Sequence, residues 1–157
     1  MIQKLFKTND ETALLILRLG LAAVMFPHGA QKVLGWFGGH GFSATMNFFT
    51  EGSHIPAPFA FLAILAEFGG SIALFLGLLT RLSAFGIGTT MVVAVLMVHL
   101  PNGFFMNWNG KQAGEGFEYH ILALVIAIAL MIQGGGKLAV DSFIHRKLGS
   151  GSISPKK

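Results

Sequence analysis

The sequence predicts an all-α fold: a polytopic membrane protein built as a bundle of four transmembrane helices, with both termini cytoplasmic. Three observations carry that prediction. Of 157 residues, 53% are hydrophobic and 11% charged, and the mean hydropathy is +0.65. Soluble chains carry about 25% charged residues, so this one has too few to cover a soluble surface. Four apolar stretches, 12–34, 57–79, 82–100 and 117–133, each approach or exceed the ~17–25 residues a spanning helix needs. Their ends are marked by glycine and proline clusters: "GWFGGHG" after the first, "HIPAP" before the second, "LPNG" after the third and "QGGG" after the fourth.

Segment 1–11 is the expected cytoplasmic N-terminal arm, with Lys4 and Lys7 ahead of the first stretch. A basic arm before an apolar run also suits a secretory signal. The run is too long for that, contains Arg18 and lacks a small-x-small cleavage site. Within helix one, Pro27 cannot donate to the carbonyl of Ala23, which predicts a kink or local unwinding beside His28.

The first loop, "GFSATMNFFTEG", places Phe42, Met46 and Phe49 on one face of a short interfacial helix. Helix two carries Glu67 near its middle, on a face shared with Ala63, Gly70 and Ser71, small residues that admit a close neighbour. Arg81 lies in the tight turn before helix three. The second loop brings Phe104, Phe105 and Trp108 to headgroup depth, as interfacial anchors or as a lid over a site. Segment 134–157 leaves the bilayer, with "LAVDSFIHRKL" as an amphipathic segment presenting His145, Arg146 and Lys147 to anionic lipid, and "GSGSISPKK" as a disordered tail. The lysines and arginines at both ends of the chain and in the turn at Arg81 fix the orientation; in the outer loops, Lys111 alone is basic and clear of a helix end.

The same distribution accounts for the net charge of +4, so nucleic acid is not an expected partner. With no cysteine, disulfides, thiolate metal sites and thiol nucleophiles are excluded. No phosphate-binding glycine loop or nucleophile elbow is present.

An ionisable group inside a spanning helix costs ~2.5–3.5 kcal/mol and demands a partner. Arg18 lies about five residues, roughly 7.5 Å, from the middle of helix one. The sequence therefore offers two readings of Glu67: an ion pair with Arg18 that fixes packing, or a carboxylate that accepts protons or binds a ligand. Ten residues beyond Arg18, His28 falls in the outer half, followed by Gln31 and by Lys32, whose bland role is a snorkelling anchor. Helices three and four contribute His99, Glu118 and Tyr119 at the same level. On helix four, Glu118 and His120 stand about 200° apart. Glu118 is expected to face inward and His120 the surface.

The cluster suits a quinone, which needs hydrogen-bond donors at its carbonyls, a proton-exchanging group and an apolar cleft. Haem held by histidines of helices one and three, or a metal on His28, His99 and Glu118, ranks below it for want of a ligand-spacing motif; no residue is assigned to a metal. Two other classes fit the same residues. One is a non-catalytic anchor or assembly subunit whose polar groups are interhelical glue. The other is a small-solute transporter, for which four helices make a thin wall, so a homo-oligomer is the expected partner. A further pattern pairs "RLG…FPHG", residues 18–29, with "RLSAFG…HLPNG", residues 81–103, as a parallel duplication of a two-helix unit.

The runs "RLGLAAVMFPHGAQKVLGWFGGHG", "LAEFGGSIALFLGLLTRLSA", "VHLPNGFF" and "GFEYHILAL" resemble the DoxX family of small bacterial four-helix membrane proteins, over about Arg18 to Ala139. That resemblance implies a bacterial inner-membrane location and a quinone-linked role, alone or with an oxidoreductase partner protein, some relatives belonging to complexes that handle oxidative stress. It carries over Arg18, His28, Gln31, Lys32, Glu67, His99, Asn102, Glu118 and Tyr119 as family-like positions. Glu67 and His28 are the expected proton-handling pair, and the other seven the expected ligand-binding set.

Overall fold

The computed structural model describes residues 2–150 and is helical, with no strand among them. A short α1 (Ile2–Leu5) precedes the long α2 (Thr12–Leu34). The first loop holds α3 (Gly41–Asn47), which runs into a wide turn over Phe48–Gly52. Then come α4 (Ala57–Leu76), α5 (Thr80–Ala94), α6 (Glu118–Gln133) and α7 (Val140–Ser150). With its continuation to Asn102, α5 joins α2 and α4 as helices long and apolar enough to cross a membrane; α6 is apolar but has only 16 residues. The tail "GSGSISPKK" lies from residue 151 onward outside the described residues.

Helices α2, α4, α5 and α6 close into a ring, each packed on its sequence neighbour and α6 back on α2. Leu21, Ala22 and Met25 of α2 meet Leu74 of α4, Ala84, Ile87 and Met91 of α5, and Ala123, Ala127 and Leu130 of α6 in one core. Outward faces are apolar as well, with Ile16, Leu62, Leu96 and Leu122 all more than half exposed. Side chains of that kind in that position belong against lipid. Close approach is set by glycine: a Cβ on Gly29 would lie 2.5 Å from the Cα of Phe68, so α2 and α4 touch backbone to backbone there.

Helix ends depart from the sequence expectation where caps intervene. α2 matches 12–34 and stays one helix through Pro27, so the unwinding expected there does not occur. α4 stops at Leu76 rather than 79, because Gly77 takes the left-handed conformation (φ 65°) and Leu78 N–H returns to the Ala73 carbonyl. α5 begins at Thr80 rather than 82, because buried Asp141 of α7 accepts the Leu79 and Thr80 N–H groups, at 2.7 and 2.8 Å. α6 starts at Glu118, one residue after the expected 117, with Phe117 as its N-cap.

Arg18 and Arg81 act alike. Arg18, 1% exposed, does not reach Glu67. Its guanidinium donates to the carbonyls of Leu74 (2.7 Å), Phe75 (2.9 Å), Gly135 (2.9 Å) and Lys137 (3.2 Å). Arg81 donates to the carbonyls of Met131, Ile132 and Lys7. Arg18 of α2 thus closes the last turn of α4, and Arg81 of α5 closes the last turn of α6. A helix end leaves four carbonyls unsatisfied and partly negative, which is where a buried cation is best accommodated. This pairing gives the two Arg-Leu motifs one physical role.

Candidate functional site

The loop end of the bundle, opposite the termini, encloses a cavity of about 370 Å³ lined by His28, Lys32, Glu67, His99, Tyr119 and His120, with Met25, Met91, Ala94, Met106 and Glu115. Glu67 reaches it because Ala60, Ile64, Glu67, Ser71 and Leu74 recur at helical spacing on the buried face of α4. The carboxylate, 4% exposed, is met by Lys32, whose Nζ donates to Oε2 at 2.5 Å. Lys32 is therefore the ion-pair partner of Glu67, not a snorkelling anchor. Arg18 was too far along the axis: the α4 carbonyls it caps lie seven and eight residues beyond Glu67, roughly 10–12 Å.

His120 faces the bundle interior rather than the surface. It is 5% exposed, its ring centroid is 4.1 Å from that of His99, and its Nδ1 is buried with no hydrogen-bond partner among the described residues. The signal for it lay in α6 itself. Ala123 and Ala127 mark the inner face by their small size and helical spacing; His120 falls about 60° from Ala123, Glu118 about 140°. Glu118 points instead into the second loop, where Oε1 accepts from Met106 N–H at 2.9 Å and Trp108 Nε1–H at 3.4 Å.

His99 arrives through an irregular segment. After Ala94 the chain widens into a π turn over Val95–His99, then a 3-10 turn over Leu100–Asn102. Eight residues past Met91, His99 would sit about 80° from it on a regular helix. The extra residue per turn winds it back toward Met91 and the cavity. His99 Nδ1 lies 2.9 Å from the Glu115 carbonyl, which only accepts, so Nδ1 carries a proton, and in the neutral ring the lone pair is then on Nε2.

Residues 103–117 roof the cavity. Asn102 Nδ2 donates to the same Glu115 carbonyl at 3.1 Å, Glu115 Oε2 accepts from Asn107 N–H at 2.7 Å, and Phe117 and Glu118 N–H return to the Phe104 carbonyl. The loop is tied on both sides of Met106 and Glu115, its two contributions to the lining. Trp108, 84% exposed, projects outward with Phe105, the position of an interfacial anchor. Gln31 faces away from the cavity, its Nε2 donating to the Phe37 carbonyl at 3.1 Å and holding the reverse turn after α2.

Of the nine sequence-predicted site residues, the fold brings His28, Lys32, Glu67, His99 and Tyr119 together around the cavity. Asn102, Glu118 and Gln31 brace the loops above it, and Arg18 is at the far end of the bundle. Tyr119 adds a hydroxyl that donates to Met25 Sδ at 3.4 Å, and its ring lies 6.3 Å from that of His28. The site thus combines a buried ion pair, three imidazoles, a phenol and thioether walls. That set can donate and accept hydrogen bonds, exchange protons and hold a flat apolar ring.

Among known proteins, a Bacillus subtilis protein named "Putative oxidoreductase CatD" is 29% identical over 144 residues, covering 92% of this chain and 96% of that one. A Haemophilus influenzae protein named only "Uncharacterized protein" is 29% identical over 144 residues, covering 85% and 84%. No solved structure matches. The DoxX family profile matches residues 13–100, more than half of the chain and all of α2 to α5 but their edges, and the chain belongs to the DoxX family.

Proposed function

We propose that this chain is a four-span redox protein of the bacterial inner membrane, or a subunit of an oxidoreductase complex there, whose loop-end cavity lies in the outer half of the bilayer and takes a quinone-like ligand. The observation that carries this reading is the Lys32–Glu67 pair buried beneath three histidines and Tyr119 in an otherwise thioether-lined cavity. The relative named as an oxidoreductase adds a loose redox association.

A quinone exchanges two electrons and two protons at its carbonyl oxygens. The residues fit such a molecule: Lys32, Tyr119 and the imidazoles offer N–H and O–H donors for two oxygens, while Met25, Met91 and Met106 supply soft apolar contact for a ring. Lys32 Nζ is held in place by Glu67, so a carbonyl entering beside it finds a charge-assisted donor already oriented. His28 and the His99–His120 pair connect that floor to the roof, and His99, its Nδ1–H fixed on Glu115, keeps Nε2 open to accept a proton. Electrons come from a partner protein on this reading.

The test is a ligand inventory of the detergent-purified full chain: visible absorption, metal analysis and mass spectrometry of an organic extract, repeated for Glu67→Gln and His28→Ala. Stoichiometric quinone in the wild type, reduced at least tenfold in both variants while they remain monodisperse, is the expected result. A wild type that carries no quinone and takes up none added in detergent overturns the reading. That outcome would favour the assembly-subunit alternative, in which these polar groups hold helices together as Arg18 and Arg81 do.

A further inference from the structure

A second cavity, of about 430 Å³, opens at the opposite end of the bundle, where the walls come from the arm before α2 and the turn leading into α7. Its walls are stitched together. Gly136 N–H donates to Thr8 Oγ1 at 2.8 Å, Asn9 N–H to the Gln133 carbonyl and Lys137 N–H to the Glu11 carbonyl, both at 3.2 Å. From within, Arg18 holds the Gly135 and Lys137 carbonyls. The turn cannot be rebuilt with side chains: a Cβ on Gly134 would lie 2.7 Å from the Lys7 carbonyl oxygen, and one on Gly135 would lie 2.6 Å from Thr80 Oγ1. The cavity is thus preformed, at the expense of three consecutive glycines and a buried arginine.

Its charges are of both signs. Lys137 and Arg146 line it together with Asp10, and Ser142 adds a hydroxyl. Asp10 and Lys137 face the same cavity without an ion pair between them. Opposite charges held apart across a cavity suit a ligand that carries both.

Depth selects the kind of ligand. α2 begins, α4 ends, α5 begins and α6 ends at this level, so the cavity sits where the spans meet the headgroups. Beside Lys137, Leu138 is 84% exposed with a left-handed backbone (φ 56°), and Val140 and Phe143 are exposed just beyond it. An apolar strip against a charged cavity at interfacial depth matches a phospholipid, with chains along the strip and headgroup in the cavity. We infer that this cavity binds a phosphate bearing an ammonium arm, the phosphoethanolamine headgroup, with Lys137 and Ser142 on the phosphate and Asp10 on the ammonium.

Native mass spectrometry of the full chain in detergent, titrated with phosphatidylethanolamine or phosphatidylglycerol of matched chains, tests this. The expected result is one tightly bound phosphatidylethanolamine, at least tenfold preferred over phosphatidylglycerol. Lys137→Gln should weaken both lipids, whereas Asp10→Asn should abolish the preference alone; melting curves confirm that the variants are folded. Competition by free O-phosphoethanolamine at millimolar concentration, but not by inorganic phosphate, would support the same chemistry and assign it to a soluble source. Binding indifferent to headgroup, or unchanged in both variants, overturns the assignment.

Discussion

Lys32 Nζ stands 2.5 Å from Glu67 Oε2, joining α2 to α4 at the floor of the loop-end cavity. The lysine side chain is 24% exposed and the glutamate 6%, so the charge that depends on this contact is the carboxylate. Removing one partner of a buried pair costs ~3–5 kcal/mol, whereas replacing both with apolar groups is often neutral. Lys32→Met is therefore expected to lower stability by about 3 kcal/mol, and Lys32→Met/Glu67→Leu to recover most of the loss. Denaturant titration in detergent measures both, and a double variant no more stable than the single one would sink this account.

Arg18 belongs to the scaffold. Arg18→Met strands four carbonyls, for a loss of about 3–5 kcal/mol. Arg18→Lys, a point charge with three donors in place of a fork of five, should restore only part of it. Neither should alter the ligand content of the loop-end cavity per folded molecule. Loss of that ligand in a stably folded Arg18→Lys protein would return Arg18 to the site.

Two glycines of α2 make a matched control. Gly29→Ala drives a methyl to within 2.5 Å of the Phe68 backbone, whereas at Gly20 nothing lies within 4 Å. The first substitution is expected to cost at least ~1–3 kcal/mol; the second should be neutral or stabilise by up to about 1 kcal/mol, as alanine favours helix over glycine. Thermal melting of the pair decides it.

Asp141 caps α5 across the chain. Asp141→Ala leaves the Leu79 and Thr80 N–H groups without their acceptor and should cost ~1–2 kcal/mol. Asp141→Asn keeps one side-chain oxygen and should fall between. Hydrogen exchange is the direct measurement, with protection lost first at Thr80 and unchanged at the start of α6.

At the roof, His120 and Glu118 separate site from support. His120→Leu is expected to empty the cavity of bound quinone with little loss of folded protein. Glu118→Gln, which keeps an oxygen toward Met106 N–H, should retain the ligand within a factor of about two, a small fraction of the ~1.4 kcal/mol that a tenfold change represents. Quantitation of extracted quinone reads both.

Sequence alone determined the membrane-spanning character, the bounds of α2 to the residue, the inward face of Glu67 and the gathering of His28, Lys32, His99 and Tyr119 at one end. These follow from hydropathy, length and helical period, which are properties of a chain segment by itself. Only the tertiary structure decided which charge meets which. Arg18 and Glu67 looked like partners because each lacked another visible in the sequence, yet an arginine is satisfied equally well by backbone carbonyls. Where a neighbouring helix ends, and so leaves carbonyls unpaired, depends on packing. His120 is a different case: Ala123 and Ala127 mark the inner face of α6 by size and helical spacing, and His120 lies about 60° from Ala123, so its inward place is legible in the sequence, while its approach to His99 depends on packing.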